Sequence, residues 1–434
     1  MKALRLTLLV AFFAALFTQC EKDHRFDRSF RDGFNFKKDG FYDKKAKSTP
    51  QGRYTVMVEN ISTPYTFFEA GVASIPEGNS EAGPALPGKS YKFSFHAGPA
   101  HKLSFATMYG WSNDGFYAPG GNGISLYNGD NPVTGDITSK IMLWDAGTEM
   151  NQMPGSSNMH DGANTTANVQ LMSAVGDGFD YGMVATNLKV TLDYNGKSLF
   201  TLTIENLNGS TTPISPVAWV VHSIDNPLFE AGTADYGKGL EDLAETGNAG
   251  PLGDYLSSNS GYVSPVAPVL WVLHDKDDYP VFTTGTPDYG IGLEALAETG
   301  NPEPLYESLK AEGYETGFQA TRTDGSTGPL FPGQKYSFTI DGHVGQSLSI
   351  ACMLGASNDI FFSNGDQGIK LSYGIAEVNL THFIDLYDAG TEVNEYPGAQ
   401  TQANTEEHGV VRLVDDGLPW PDASQVIKVT IRKN

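Results

Sequence analysis

The chain has 434 residues, 49 of them glycine, with 11% aromatic residues and a formal net charge of -23 at pH 7. A surface this acidic repels nucleic acid and anionic lipid head groups, which argues against both as partners. The glycine and aromatic content is typical of loop-rich β domains rather than of helical bundles. The length is sufficient for two or three domains.

Residues 1–20 are typical of an export signal. Lys2 and Arg5 precede an apolar run, residues 6–17, that is shorter than a membrane-spanning helix. Cys20 then resembles a bacterial lipoprotein cleavage site, although glutamine stands before it where a small residue is usual. This predicts a secreted, surface-exposed lipoprotein of a Gram-negative outer membrane, with the lipid on Cys20. The alternative is an ordinary secretory signal with an incidental cysteine.

Residues 21–50 are rich in Lys, Asp, Arg and Phe and show neither alternation nor a helical stripe. This composition predicts a flexible, solvated tether. Such a tether would hold the folded part of the chain away from a membrane.

From residue 51 onward the chain repeats itself, and the repeated segments alternate as strands do. Segment 54–61 matches segment 200–207, and both end in Glu-Asn followed by an aliphatic residue. A second pair of matching strands follows, and each of the two begins after a Pro-Gly turn. The pattern predicts an all-β fold of two tandem antiparallel β-sandwiches, domain 1 at 51–196 and domain 2 at 197–434.

The second predicted domain is longer because of a segment, residues 212–312, that is itself duplicated. Residues 235–248 recur as 288–301, and in both copies Gly-Leu-Glu-x-Leu-Ala-Glu predicts a short helix that ends at a glycine. An apolar strand that ends in His222 or His274 precedes each helix. The sequence therefore predicts a duplicated strand–helix insertion at one edge or end of the second sandwich.

Three acidic residues lie at matching places in the two repeats. In the first, Asp114 ends a Ser-Asn-Asp turn, and Asp145 and Glu149 flank Ala-Gly-Thr. The glycine of this loop can adopt a positive φ, which lets both flanking carboxylates turn toward one point. Calcium takes 6–8 oxygen ligands, largely from carboxylates. The second repeat has the matching candidate ligands Asp359, Asp388 and Glu392.

The alternative for these residues is turn chemistry, in which Asp145 and Asp388 accept backbone hydrogen bonds and the glutamates are simply solvated. Three carboxylates that converge without a cation would repel one another strongly. Their duplication favours the metal site.

These motifs resemble the spondin N-terminal domain, which occurs in animal F-spondin and mindin and in bacterial secreted proteins. The residues that carry the resemblance are the strand Leu-Ser-Phe-Ala-Thr-Met, the Ser-Asn-Asp turn and the loop Trp-Asp-Ala-Gly-Thr-Glu. It covers both repeats, nearly everything after residue 50, and includes the duplicated strand–helix segment. It implies C2-like β-sandwiches that each hold one calcium ion with the three carboxylates named above, and a role in adhesion or matrix binding.

The sequence thus predicts a calcium-binding adhesion protein that is not an enzyme, with an extracellular protein or a glycan as partner and membrane contact only through the lipid. No Gly-x-Ser-x-Gly, P-loop or dinucleotide fingerprint occurs in it. One rival hypothesis is a calcium-dependent carbohydrate-binding module with Trp111, Trp144 and Phe116 as stacking residues. A second is a hydrolase that uses the loop carboxylates.

Overall fold

The structure, a computed structural model, describes residues 51–372, 377–399 and 405–434. Strand pairs within its sheets are antiparallel, and strand residues outnumber helical ones, at 36% against 13%. The prediction of an all-β fold is therefore confirmed. The predicted signal peptide, Cys20 and the predicted tether lie outside the described residues.

The described chain is a succession of short strands with few helices. The strands are β1 (Gln51–Asn60), β2 (Glu69–Ala73), β3 (Ser90–His96), β4 (Lys102–Met108), β5 (Gly115–Pro119), β6 (Ile124–Ser125), β7 (Tyr127–Asn128), β8 (Asn131–Pro132), β9 (Gly135–Asp136), β10 (Ile141–Asp145), β11 (Gln170–Leu171), β12 (Leu188–Tyr194), β13 (Leu199–Asn206), β14 (Val217–His222), β15 (Val269–His274), β16 (Glu315–Gln319), β17 (Lys335–His343), β18 (Ser347–Met353), β19 (Ile360–Ser363), β20 (Ile369–Lys370), β21 (Glu377–Asn379), β22 (Asp385–Asp388), β23 (Arg412–Leu413) and β24 (Ile427–Lys433). The α-helices are α1 (Val184–Asn187), α2 (Leu240–Thr246), α3 (Gly250–Ser258), α4 (Leu293–Thr299), α5 (Glu303–Ala311) and α6 (Ala423–Val426). Across the described ranges, none of these helices is both long and apolar enough to cross a membrane.

Apart from the short two-stranded sheet of β7 and β8, the strands form two pairs of sheets, and each pair encloses a core. In the first pair, sheet β3-β13-β12-β9 and sheet β11-β10-β5-β4-β14-β2 share a cluster of buried side chains that includes Phe95, Phe200 and Trp219. In the second pair, sheet β17-β1-β24-β21 and sheet β16-β15-β18-β19-β22-β23 enclose Tyr54 and Phe362. We call these two β-sandwiches the N-terminal half and the C-terminal half.

The larger sheet of each half is buried on both faces because helices cover its outer face. In β14, Val217, Trp219 and Val221 belong to the core between the sheets, whereas Ala218 and Val220 pack with α2 and α3. Helices α4 and α5 cover the C-terminal half in the same way. Two buried faces explain why these strands are apolar runs without alternation.

The first strand of the described chain belongs to the C-terminal half. β1 lies between β17 and β24, where Val56 pairs with Phe338 on one side and Ile431 on the other. This place matches that of β13, which lies between β3 and β12 in the N-terminal half. The domain boundary predicted between residues 196 and 197 instead falls inside the β12–β13 hairpin. It was misplaced because β13 pairs with its neighbour in sequence, whereas β24 pairs with a strand from far along the chain.

Each half contains one copy of the duplicated strand–helix segment. β14 lies between β2 and β4, and α2 and α3 pack on that sheet of the N-terminal half. β15 lies between β16 and β18 in the C-terminal half. The predicted insertion at 212–312 of the second sandwich is therefore wrong in its placement. Its first copy completes the first sandwich, because β2 and β4 pair through β14.

The asparagine of the repeated Glu-Asn pair has a structural role in both halves. Asn60 is fully buried, and its Nδ2 donates to the carbonyl oxygens of Ser264 and Leu330, both at 2.9 Å. Asn206 makes the matching two bonds in the N-terminal half. These bonds tie the end of a strand in the small sheet to loops that begin or end at a strand of the larger sheet.

Two chain segments connect the halves and run side by side. Residues 61–68 lead from β1 to β2, and residues 259–268 lead from α3 to β15. The N–H of Phe67 donates to the carbonyl oxygen of Asn259 at 3.0 Å, and the N–H of Gly261 donates to that of Phe67 at 3.1 Å. The chain therefore crosses between the halves twice at one place.

A buried serine–histidine pair recurs in both halves. Ser104 Oγ lies 2.9 Å from His222 Nε2, and Ser349 Oγ lies 2.9 Å from His274 Nε2. Because Nδ1 of His222 donates to the carbonyl oxygen of Ile224, Nε2 is left to accept from the serine hydroxyl. Burial lowers the pKa of His222 to about 4, so the ring is neutral in the folded protein.

The position of β1 predicts a face-specific effect of a buried charge. Val56 is 0% exposed and Met57, on the other face of the strand, is 36% exposed. We expect Val56→Asp to lower the free energy of unfolding by roughly 3–5 kcal/mol, because a carboxylate would lie unpaired in the core of the C-terminal half. Met57→Asp, the matched control, should change it by less than about 1 kcal/mol. Urea denaturation measures both, and equal small effects would contradict the placement of β1.

The buried His222 predicts a loss of stability in acid. Its folded pKa lies below the unfolded value of about 6.5, so stability is complete above that pH and falls as the pH drops toward 4. Between pH 7.5 and pH 5 we expect a loss of roughly 1–2 kcal/mol that His222→Gln removes. Urea denaturation of both proteins at the two pH values, in chelator, tests this. Carboxylate effects are common to both proteins, and an identical pH dependence would contradict the prediction.

Candidate metal site

Strand pairing brings two aspartates together at one end of each larger sheet. β5 begins at Gly115, which pairs with Asp145 at the end of β10, so Asp114 and Asp145 become neighbours across the strands. The same pairing in the C-terminal half places Asp359 beside Asp388. Residues that are about thirty positions apart in the sequence therefore meet at one sheet end.

The loop after β10 turns sharply at a glycine and presents its backbone N–H groups to Asp114. Gly147 has a φ of 72°, and a Cβ there would lie 2.6 Å from the carbonyl oxygen of Ala167, so no larger residue fits. Asp114 Oδ2 accepts hydrogen bonds from the N–H of Thr148 at 2.8 Å and of Glu149 at 3.1 Å. One oxygen of Asp114 thus caps the turn from a neighbouring strand.

Several buried oxygens around this turn accept no hydrogen bond. Asp114 is 0% exposed, and its Oδ1 has no partner. The same holds for Oε2 of Glu149, Oδ1 of Asn151 and Oε1 of Glu245. Buried polar atoms are nearly always paired, so such a cluster demands a physical reason. A set of unused acceptors around carboxylates is what a bound cation would satisfy.

Glu245 reaches this site from helix α2. The buried face of that helix packs on the sheet, and Gly247, in the left-handed region, ends the helix just beyond the glutamate. Burial raises the pKa of Glu245, a hydrogen bond from Thr148 opposes the shift, and the charges of Glu149 and Asp114 add to it. Glu245 was not among the residues predicted from the sequence. The sequence does contain a signal for this residue, since the segment Leu-Ala-Glu-Thr-Gly-Asn is identical in both copies.

Burial makes the paired aspartates weaker acids than exposed aspartates are. It raises the pKa of Asp145 to about 6, and the charge of Asp114 adds to the shift. It also raises the pKa of Asp388 to about 6, where Asp359 adds to the shift and Arg412 opposes it. A carboxylate with a raised pKa is destabilised when it ionises. At neutral pH a bound cation would therefore offset the cost of ionising these buried carboxylates and the smaller repulsion between them.

The C-terminal site repeats the arrangement of the first. Asp359 Oδ2 accepts from the N–H of Thr391 at 2.8 Å and of Glu392 at 3.1 Å. Its buried Oδ1 again has no partner. The same is true of one oxygen each of Asn394 and Glu298, the counterparts of Asn151 and Glu245. Three of the four acceptors of the N-terminal site thus recur at matching positions in the C-terminal half.

The donors at each site fit a hard divalent cation. They are carboxylate and amide oxygens, with no thiol or imidazole among them, which is the ligand chemistry of calcium rather than of zinc or copper. In the N-terminal half the residues that would hold the metal are Asp114, Asp145, Glu149, Asn151 and Glu245.

The carboxylates do not yet form a closed cage. Within the part of the chain that the structure describes, no group of three or more His, Cys, Asp or Glu side chains has a geometry that could hold a metal. Like charges stand apart when no cation lies between them, so the side chains would have to close on the ion. The burial of Asp114 Oδ1 and the turn at Gly147 fix where that closure would occur.

The structure brings each predicted acidic triplet to a single turn. The turn-capping alternative also describes part of the site, because Asp114 and Asp359 each use one oxygen as a cap. Asp388 Oδ1 further accepts from the N–H of Gly390 at 2.7 Å. Capping and metal binding use different oxygens of Asp114 and Asp359, so the two roles are compatible. The assignment of metal ligands stays a prediction.

Two of the three residues proposed to stack on glycans are buried. Phe116 is buried in the core, and Trp144 donates its Nε1–H to the carbonyl oxygen of Ala118 at 3.3 Å while packing on Phe229. Trp111 is partly exposed. The carbohydrate hypothesis therefore loses two of its three contact residues.

No family model matches the chain, and no curated protein matches it. The resemblance to the spondin N-terminal domain therefore stays a prediction that depends on the motifs alone.

We expect the carboxylate of Glu245 to lower the stability of the protein without calcium and to strengthen calcium binding. Glu245→Gln should raise the melting temperature in chelator, because it removes a repelling charge near Asp114. It should also weaken calcium binding at the N-terminal site about tenfold, because a lost contact to a charged group costs roughly 1.5 kcal/mol. Thermal melts and calcium calorimetry measure the two effects.

The matched control is Asp242→Asn, which removes one exposed charge from the same helix. It should change neither the melting temperature in chelator nor the calcium affinity appreciably. Equal behaviour of the two variants would mean that Glu245 is only a surface charge.

Proposed function

We propose that this chain is a calcium-binding adhesion or binding protein of the cell exterior, built from two spondin-like sandwiches. The observation that carries the proposal is the repeated cluster of buried oxygens without hydrogen-bond partners, centred on Asp114 in one half and Asp359 in the other. Two copies of one arrangement argue against an accident of side-chain placement.

Calcium suits these residues better than the other common divalent ions. Magnesium requires near-ideal octahedral geometry and keeps much of its water, whereas calcium accepts 6–8 protein oxygens in flexible arrangements. Side chains from three separate elements contribute here, namely Asp114 before β5, Asp145 at the end of β10, and Glu245 on α2. An irregular donor set of this kind is typical of calcium sites.

A bound ion would be contacted both by the loop after β10 and by helix α2, and would connect the two. Glu149 and Asn151 lie in the loop after β10, and Glu245 lies on the helix that covers the sheet. Burial raises the pKa of Glu245, and the nearby charges of Glu241, Glu149 and Asp114 raise it further, so the ionised carboxylate is destabilised without a cation. Calcium supplies the opposite charge, so these residues would hold the loop against the helix. The loop surface ordered in this way is the part that we expect to contact a partner.

The proposed location is the outer surface of a Gram-negative cell, with a lipid on Cys20 as the anchor. The partner is an extracellular protein or a glycan, and the net charge of -23 disfavours nucleic acid. No catalytic role is proposed. The Ser104–His222 pair has the spacing of a nucleophile and its base, but both residues are buried in the core, out of reach of a substrate.

The rival carbohydrate hypothesis keeps one specific test. Trp111 remains partly exposed near the N-terminal site. Glycan binding that requires calcium and is lost in Trp111→Ala would favour it over protein adhesion.

Calcium titration tests the proposal directly. We expect calorimetry with calcium chloride to detect binding, and a calcium-dependent rise of a few degrees in melting temperature at saturating ion. Asp114→Asn and Asp359→Asn should each remove one binding event, because each deletes the central carboxylate of one site. Magnesium at the same concentration should give a smaller rise.

Asp193→Asn is the control for net charge. Asp193 is an exposed acid on β12, away from both turns, so its removal should leave calcium binding intact. Absence of any heat or melting shift in the unaltered protein would refute the proposal and reduce the acidic turns to capping.

A further inference from the structure

The two candidate sites differ at one matched position beside the central aspartates. Strand β11 places Gln170 opposite Asp145, and strand β23 places Arg412 opposite Asp388. The turns also differ at two exposed or half-exposed flanking positions, where the N-terminal half has Asn164 and Thr165 and the C-terminal half has Glu406 and Glu407. A neutral amide in one half therefore stands where the other half has a permanent positive charge.

Arg412 already pairs with the C-terminal site. Its Nη2 lies 2.8 Å from Asp388 Oδ2, an oxygen that also accepts from Asn394 Nδ2 at 2.8 Å. Asp388 Oδ1 accepts from the N–H of Gly390. Both oxygens of Asp388 are thus engaged before any ion arrives. In the N-terminal site Asp145 Oδ2 accepts from the amide of Asn151, with no guanidinium opposite.

We infer that the two sites are unequal: Arg412 acts as a built-in counter-ion in the C-terminal site, so the N-terminal site takes calcium first and more tightly. The inference rests on the proposed calcium binding and concerns how it is distributed. A metal ion at Asp388 must share that carboxylate with a nearby positive charge or displace it. Displacement is feasible because the Arg412 side chain is 39% exposed, whereas Asp388 is 1% exposed.

Other acids near the C-terminal site do not reverse this expectation. Glu407 lies 3.4 Å from Arg412 and helps to hold the guanidinium in place. Glu406 pairs with Glu392 through the backbone, in an isolated β-bridge. Its side chain is exposed, so solvent screens its charge. The direct contact between Arg412 and Asp388 therefore dominates the difference.

A reciprocal exchange tests the inference on the whole chain. Calcium chloride is titrated by calorimetry into the unaltered protein, Arg412→Gln and Gln170→Arg, with Asp114→Asn and Asp359→Asn to assign each event to a site. We expect a tighter event that Asp114→Asn removes and a weaker one that Asp359→Asn removes. Arg412→Gln should strengthen the weaker event about tenfold, and Gln170→Arg should weaken the tighter event by a similar factor.

Two further measurements separate charge from folding. In chelator, Arg412→Gln should melt at a lower temperature than the unaltered protein, because Asp388 loses its counter-ion, yet its rise on adding calcium should be larger. Arg412→Lys retains the positive charge and should give little of the gain in affinity. Because the N-terminal site has no counterpart of Glu407, with Thr165 at that position, Gln170→Arg reports the guanidinium alone.

The outcomes distinguish this inference from the proposal beneath it. Two events of equal affinity that Arg412→Gln leaves unchanged would overturn the inference and leave calcium binding standing. A tighter event that disappears in Asp359→Asn would overturn it as well. No binding by any of the proteins would overturn both.

Discussion

The C-terminal half depends on a strand that the chain contributes from far away. β1 lies between β17 and β24, and its side chains Tyr54, Val56 and Val58 fill the centre of that core. Without it, two strands would lose their common partner and a row of apolar side chains would face solvent. Such a pairing is slow to form because the loop that it closes is long. In the N-terminal half the strand at the matching place, β13, pairs with its neighbour in sequence, β12, through a tight hairpin.

The strands, the repeat and the acidic turns could be predicted from the sequence because each is a local pattern. Alternation marks β1 and β13 equally well, and both end in Glu-Asn. For that reason the pattern could not tell which sheet each strand joins, and the domain boundary and the position of the insertion were misplaced. The choice is made by tertiary partners, since β12 reaches β13 at once whereas β24 pairs with β1.

The candidate site shows the same division between local and tertiary information. Asp114, Asp145 and Glu149 could be proposed from the repeat, and the structure places them around one turn. Glu245 is repeated as well, as Glu298, but its closeness to the site appears only once its helix is packed on the sheet. The role of Arg412 likewise appears only when β23 is set in register with Asp388.

The two crossings of the chain join the two proposed calcium sites through the backbone. Each site lies within one half, yet residues 61–68 and 259–268 cross between the halves side by side. Unfolding of the C-terminal half would release β1 and pull on the crossing that leads into β2. An ion that binds only the folded protein adds a stability of RT ln(1 + [L]/Kd), where [L] is the free ion concentration and Kd its dissociation constant. Because β1 leads directly into the crossing at residues 61–68, we expect calcium at the proposed N-terminal site to oppose those openings of the C-terminal half that also break the hydrogen bond between Phe67 and Asn259.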